Sequence, residues 1–360
     1  MKTSLVQLLT VDDARRETDT FLHDFLQERR AAAEAVSPAY SELWQAIDSV
    51  VRAGGKRLRP YMVALGYGAF SESTDVRCIL PAMAAQELFH QAVLIHDDVI
   101  DRDDIRHGVP NVTGQYDRRY AVFIEDAVER RHFANSAALL AGDLLISSAF
   151  QMMQKTCAEP SNLRAATDTF AEAIFAVCGG ELLDIEMAFR SEGRADARTV
   201  ALHKTAHYSF VGPLVMGAQL ANAPVAAIDA LREYGEKLGI AFQIQDDILG
   251  TYGDSEKTGK STSSDIREGR HTHLVEQFEA LASEEQRVQF AAVFHNTAAS
   301  DDDIKVAREL LEQSGARAAA EAEIDTLARQ ALGALETVEL SDAARSAFAE
   351  LAERATKRSR

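Results

Sequence analysis

The chain has 360 residues, 46% hydrophobic and 26% charged, with 38 Lys plus Arg against 56 Asp plus Glu and a formal net charge of −18. That apolar fraction excludes a disordered chain and supports a large core, while the acidic field and the lack of a basic stripe exclude nucleic acid as a partner. Cys78, Cys157 and Cys178 contain no CxxC pair and give neither a disulfide framework nor a zinc site, and the N-terminus makes a poor secretory signal, so a cytoplasmic protein is expected.

With only 7 prolines and an excess of Ala, Leu and Glu, helix is the default along the chain. Apolar residues recur at i, i+3, i+4 and i+7 over Asp12 to Glu34, Asp75 to Asp98, Phe133 to Lys155, Leu163 to Phe189, Ala226 to Leu249 and Ala316 to Glu336, which predicts long amphipathic or buried helices. Breaks fall at Ala53-Gly54-Gly55, Gly108-Val109-Pro110, Glu159-Pro160-Ser161, Ser191-Glu192-Gly193 and the polar run 253–264. No linker or fixed-period repeat divides the chain, so a single all-α domain over residues 1–360, one large helical bundle, is expected. Residues 113–132 read as an insertion, either a long connection or an extra small helix. The basic tail 354–360 reads as a solvated end or as a flap over an anionic site. No membrane span is expected, because apolar stretches such as Ser136 to Phe150 meet charge within about 18 residues.

Two acidic clusters stand out. The first, Asp97-Asp98-Val99-Ile100-Asp101-Arg102-Asp103-Asp104, ends an apolar helix, where the macrodipole disfavours acid. At i and i+4, Asp97 and Asp101 share a face and would hold one divalent cation, with Asp98 turned about 100° away. Oxygen-only ligation from a rigid helix suits Mg²⁺, which keeps most of its waters and takes other ligands from substrate phosphates. A solvated acidic helix end is the bland alternative. The second cluster, Asp246-Asp247 within Phe242-Gln243-Ile244-Gln245-Asp246-Asp247-Ile248-Leu249-Gly250, lies in an apolar helix where unpaired aspartates are costly and a metal compensates. Two such pairs on facing helices would clamp a diphosphate. Separate cations suit a phosphate bound without metal. Lys56, Arg57 and Arg59 precede a helix expected to start with Pro60 at its first position; Arg106, Lys204 beside Thr205, Lys257 and Lys260 follow. Taken alone, the first of these groups is equally a surface basic patch.

Together these segments resemble the trans-isoprenyl diphosphate synthases over roughly residues 40 to 275. The segments are GGKRLRP at 54–60, ELFHQAVLIHDDVID at 87–101, AGDLL at 141–145, GGELLDIE at 179–186, KTA at 204–206, and FQIQDDILGTYGD with TGK at 242–260. The resemblance implies an all-α bundle around a deep central cavity, a homodimer, and Mg²⁺ as cofactor, with roughly three ions. It implies head-to-tail condensation of isopentenyl diphosphate with an allylic diphosphate. By position, Asp97 and Asp101 bind Mg²⁺ beside Asp98, and Asp246 binds Mg²⁺ with Asp247 in support. Arg106, Lys204 and Lys260 contact the allylic diphosphate. Lys56, Arg59 and His90 hold isopentenyl diphosphate, with Arg57 in the same substrate-binding set, and Thr205 and Gln243 flank the nascent cation. Metal and cations stabilise the departing diphosphate, the second substrate's double bond attacks the allylic carbon, and a proton leaves.

Two departures from the family pattern matter. Arg106-His107-Gly108 replaces Arg-Arg-Gly, a phosphate contact that weakens above pH ~6.5. Gly250 replaces the last acid of the second motif; either that ligand is dispensable or Asp254, about one turn further on, substitutes for it. For product length, Val93 and Ala92 are small and Phe89 is the next large side chain on the face below Asp97; at ~5.4 Å per turn, a geranylgeranyl product with Phe89 as floor is expected. The alternatives are a farnesyl product, a product of twenty-five carbons or more, Phe89 as plain core packing, a non-catalytic partner subunit, and a class I terpene cyclase, against which GGKRLRP, KTA and TGK count.

Overall fold

Helices begin where short polar side chains satisfy backbone N–H groups that have no intrahelical acceptor. Thr10 and Asp13 form a capping box at the start of α1 (Val11–Glu34), and Ser37 caps α2 (Pro38–Arg52), which opens on Pro38. The computed structural model describes residues 8–73, 75–187, 189, 195–253 and 263–357. Asp254, Lys257, Lys260 and the end of the basic tail lie outside the described residues. The chain divides into two compact units, Met1–Thr167 and Asp168–Arg360.

In the first unit, α3 (Leu58–Phe70) and a 3-10 turn (Val76–Cys78) lead into α4 (Leu80–Ile100). A hairpin of β1 (Ile105–Arg106) and β2 (Val109–Pro110), α5 (Val112–Tyr120), α6 (Ala127–Lys155) and the start of α7 (Pro160–Met187) follow. α3 starts before Pro60, not at it. Gly54 and Gly55 at φ 146° and 130° and Arg57 at φ 49° turn the chain early, so the helix opens at Leu58. Pro60 then sits in the first turn, where its missing N–H costs nothing. α4 starts after the expected Asp75, because Asp75 caps the 3-10 turn through the Arg77 N–H. Residues 113–132 form α5 and the first turns of α6, whose cap is Asp126.

α4 packs along α6, with the His96 ring against Gly142, where a Cβ would overlap it. Around this pair Leu22, Phe25, Trp44, Met62, Leu88 and Leu145 are buried. α6 is long and apolar enough to cross a membrane by length and composition alone, a test that a core helix also passes. Its buried stripe, Ala134, Ala138, Ala141, Leu145 and Ala149, belongs to the core of this unit, which is the use such a stripe has in a core helix.

The second unit holds the rest of α7, α8 (Ala197–Val200), a π-helix (Ala201–Val211), α9 (Gly212–Leu220) and α10 (Val225–Tyr252). It continues with α11 (Ser264–Glu268), α12 (His273–Leu281), α13 (Glu284–Ala291), α14 (Asp301–Gln313), α15 (Ala316–Ala334) and α16 (Asp342–Thr356). α10 is the central element, packed on the π-helix, α15 and α16. Ile240, Ile244 and Ile248 of α10 meet Phe278, Ile304, Leu311 and Ile324 in one core cluster. The Tyr234 hydroxyl donates to the Phe348 carbonyl at 2.7 Å, which ties α16 to α10. The all-α expectation holds; among the described residues the only strands are β1 and β2.

Candidate active site

In the first unit the acids sit where α4 ends. Arg102 in the left-handed region (φ 60°) and the Asp103 N–H donating to the Asp98 carbonyl at 2.9 Å stop the helix directly after the cluster. The Asp101 N–H bonds the Asp97 carbonyl at 2.8 Å, so these two residues remain one helical turn apart, as the sequence spacing required. The hairpin turn His107-Gly108, with φ 53° and 77°, returns the chain so that Arg106 reaches back to the acids. Its guanidinium donates to Asp98 Oδ1 at 2.6 Å and Asp97 Oδ2 at 3.0 Å. Burial pushes the Asp98 carboxyl up to about 6, although Arg106 pulls it down.

Next to them stands His90, which burial holds well below the ordinary imidazole value, so it is neutral at pH 7. The charges of Arg59, Arg106, Arg57 and His107 act in the same direction. A small recess in this unit is lined by Ala53, Gln91, Asp98, Arg106 and His107. Lys56 is exposed at the rim of the Gly54–Arg57 loop. Arg57 is different: its side chain is 4% exposed, and it is paired with Glu87 and Asp19. Phe89 and Ala92 are buried in α4, and Val93 is half-buried.

In the second unit, Gly180 lets α7 lie directly on the π-helix backbone at His203 and Lys204. From that contact Lys204 Nζ reaches Asp184 at 2.5 Å and Glu181 at 3.0 Å. Thr205 donates to Gln243 Oε1 at 2.6 Å, and Gln243 Nε2 donates to Asp247 Oδ1 at 2.9 Å. The His273 N–H takes the other Asp247 oxygen at 3.3 Å. Burial lifts the Asp247 carboxyl well above its ordinary range, although Gln243 lowers it. Asp246 is half-buried beside it. Gly250 stands against a carboxylate: a Cβ there would lie 2.7 Å from Asp265 Oδ2, so a side chain at 250 would crowd Asp265.

The donors suit Mg²⁺. Both clusters offer carboxylate oxygen, the hard donor that Mg²⁺ prefers. Mg²⁺ binds through one or two carboxylates with waters and phosphate oxygens completing the shell. Asp97, Asp101 and Asp246 are half-buried, whereas Asp98 and Asp247 are buried. Sequence reading missed Glu87, Glu181, Asp184 and Asp265. Each lay in or near a quoted segment, and an acid on an apolar helix within reach of a basic segment was the available signal for the first three.

A family model described as polyprenyl synthetase matches residues 40–311. Geranylgeranyl diphosphate synthase from Methanosarcina mazei is 35% identical over 234 residues, 65% of this chain and 66% of that protein. Geranylfarnesyl diphosphate synthase from Natronomonas pharaonis is 29% identical over 81% of this chain and 84% of its own. Among solved structures, geranylgeranyl pyrophosphate synthase from Corynebacterium glutamicum, complexed with isoprenyl diphosphate and magnesium, superposes with a TM-score of 0.89. It is 31% identical and covers 98% of this chain and 100% of its own.

Proposed function

Because the chain belongs to the polyprenyl synthetase family and is a trans-prenyltransferase, we propose that it condenses isopentenyl diphosphate with an allylic diphosphate to give geranylgeranyl diphosphate and diphosphate. The observation that carries this reading is the first unit's juxtaposition of metal-type acids, Asp97 and Asp101, with metal-free cations around neutral His90. Asp97, Asp101 and Asp246 would hold Mg²⁺, with Asp98 and Asp247 in support. When bound, the metal supplies Lewis-acid stabilisation to the departing diphosphate.

The protein's own groups do the rest. Arg106 and Lys204 contact the allylic diphosphate, along with Lys260. Lys204 arrives oriented by Glu181 and Asp184, which lowers the entropy cost of placing a flexible ammonium. Lys56 and Arg59 hold the diphosphate of isopentenyl diphosphate, and His90 binds as a neutral hydrogen-bonding partner. Thr205 and Asp247 fix the Gln243 amide, whose dipole stabilises the positive charge that develops as the allylic bond breaks. Apolar walls keep water from the cation. Diphosphate release from the two substrates in the presence of Mg²⁺, abolished by EDTA, is the expected result; release that ignores EDTA would refute the metal assignments.

Product length rests on Phe89, with small Ala92 and half-buried Val93 above it. The geranylfarnesyl relative favours a minor twenty-five-carbon product as the second reading. The free Cys78, Cys157 and Cys178 fit a cytoplasmic setting. A homodimer is proposed from apolar side chains left exposed in mid-helix: Leu139 and Leu140 on α6, Phe175 and Leu182 on α7. Sedimentation should give twice the chain mass, and replacing Leu139 and Leu140 with lysine should give the monomer; a monomeric unmodified protein would refute this.

A further inference from the structure

We propose that Arg57 is a positioning residue: the buried Arg57–Glu87 pair holds the Gly54–Arg59 segment against α4 and thereby sets isopentenyl diphosphate affinity without touching that substrate. The inference rests on the isopentenyl diphosphate site read above.

Arg57 shares a basic run with Lys56 and Arg59 and in sequence is their equal. The fold separates them. Gly54 and Gly55 at strongly positive φ and Arg57 itself at φ 49° fold the loop around the Arg57 guanidinium. A Cβ on Gly55 would lie 3.1 Å from Arg57 Nη1, so the glycine is what allows the wrap. All three guanidinium nitrogens are engaged. Nε donates to Asp19 Oδ1 of α1 at 2.8 Å. Nη1 donates to Glu87 Oε1 of α4 at 2.6 Å and to the Gly54 carbonyl at 3.2 Å. Nη2 donates to the Val51 carbonyl in the last turn of α2 at 2.7 Å. One planar group therefore joins three helices and the loop, in the fork geometry that lysine cannot reproduce.

Glu87 is equally committed. It is 2% exposed on α4, and its Oε1 also accepts from Gln91 Nε2 at 2.8 Å. His90 lies one turn further along α4, close enough to Arg57 and Arg59 to feel their charge. With two carboxylates neutralising it and 4% of its side chain exposed, Arg57 has neither field nor surface to offer a diphosphate. What it offers is register: Lys56 and Arg59 flank it directly and move if it moves. Misplacing a binding group by about 1 Å is enough to cost on the order of tenfold or more.

Steady-state kinetics of the full-length enzyme, varying each substrate in turn, separates positioning from contact. Arg57→Lys and Glu87→Gln should each raise KM for isopentenyl diphosphate about tenfold while KM for the allylic diphosphate stays within about twofold. The double variant should be no worse than either single one, because both break the same brace. A direct contact requires the opposite for Glu87→Gln, since removing the countercharge frees a cation and lowers KM; that result, or equal rises in both KM values, would overturn the proposal. Asp19→Asn, which loosens the brace at its more exposed end, should give a smaller selective rise and serves if the buried variants do not fold; no selective rise there would count against the brace. Lys56→Ala and Arg59→Ala are the references. If they too leave KM for isopentenyl diphosphate unchanged, the site reading itself fails, whereas a rise in them alone sinks only the role of Arg57.

Discussion

Replacing Asp97 with alanine is expected to lower kcat/KM by on the order of 10²–10³, with the Mg²⁺ concentration for half-maximal rate raised. The carboxylate is the half-buried member of its pair, one turn from Asp101, and under the proposed metal assignment its removal takes away a ligand as well as one of the two acids that Arg106 donates to. Asp246→Ala should produce a loss of similar order. Folding should survive both changes, since each residue lies at a half-buried position and neither fills the core. Circular dichroism melting beside the kinetics checks this. An Asp97→Ala enzyme that keeps more than a tenth of the rate at unchanged Mg²⁺ demand would remove Asp97 from the metal assignment.

Phe89→Ala should act on stability and on product together. The ring is among the largest fully buried side chains and is 2% exposed, so truncation is expected to cost about 3–5 kcal/mol from lost burial and the cavity left behind. If Phe89 also floors the prenyl channel, opening a turn of α4 beneath it shifts the product beyond twenty carbons. The two consequences are separable by measurement: a lower melting temperature with an unchanged product distribution makes Phe89 core packing alone. Phe89→Leu, which keeps most of the volume, should shift products less and fold more securely.

How much of this was legible depended on whether a residue's environment follows from its neighbours in sequence. The long helices were, because a continuous apolar stripe at period 3.6 survives any tertiary arrangement; α1 and α10 match it closely. Their ends were less so. The early start of α3 comes from positive φ at Gly54, Gly55 and Arg57, and the early start of α6 from the Asp126 cap inside a polar stretch, neither of which has a periodic signature. The π-helix carrying Lys204 and Thr205 was invisible, since its wide turn accompanies close backbone approaches at Gly180 and Gly239.

Within the site, the acids were legible because five aspartates in one short run have no structural motive at a helix C-terminus. Arg57 reads like Lys56 and Arg59 in the sequence because a buried arginine and an exposed one are spelled alike; its burial against Glu87 of α4 is visible only in the fold. The neutrality of His90 had no sequence signature either, since it comes from burial and from the charge of arginines distant in sequence. The Gly250 departure likewise depended on Asp265, which approaches from another helix.

Chromatography of the dephosphorylated products, after the purified chain is incubated with Mg²⁺, isopentenyl diphosphate and an allylic primer, goes to the centre of the proposed reaction. Mainly the twenty-carbon alcohol is expected, with a minor twenty-five-carbon species. No prenyl product from the chain alone, with turnover appearing only when a partner synthase is added, would contradict it.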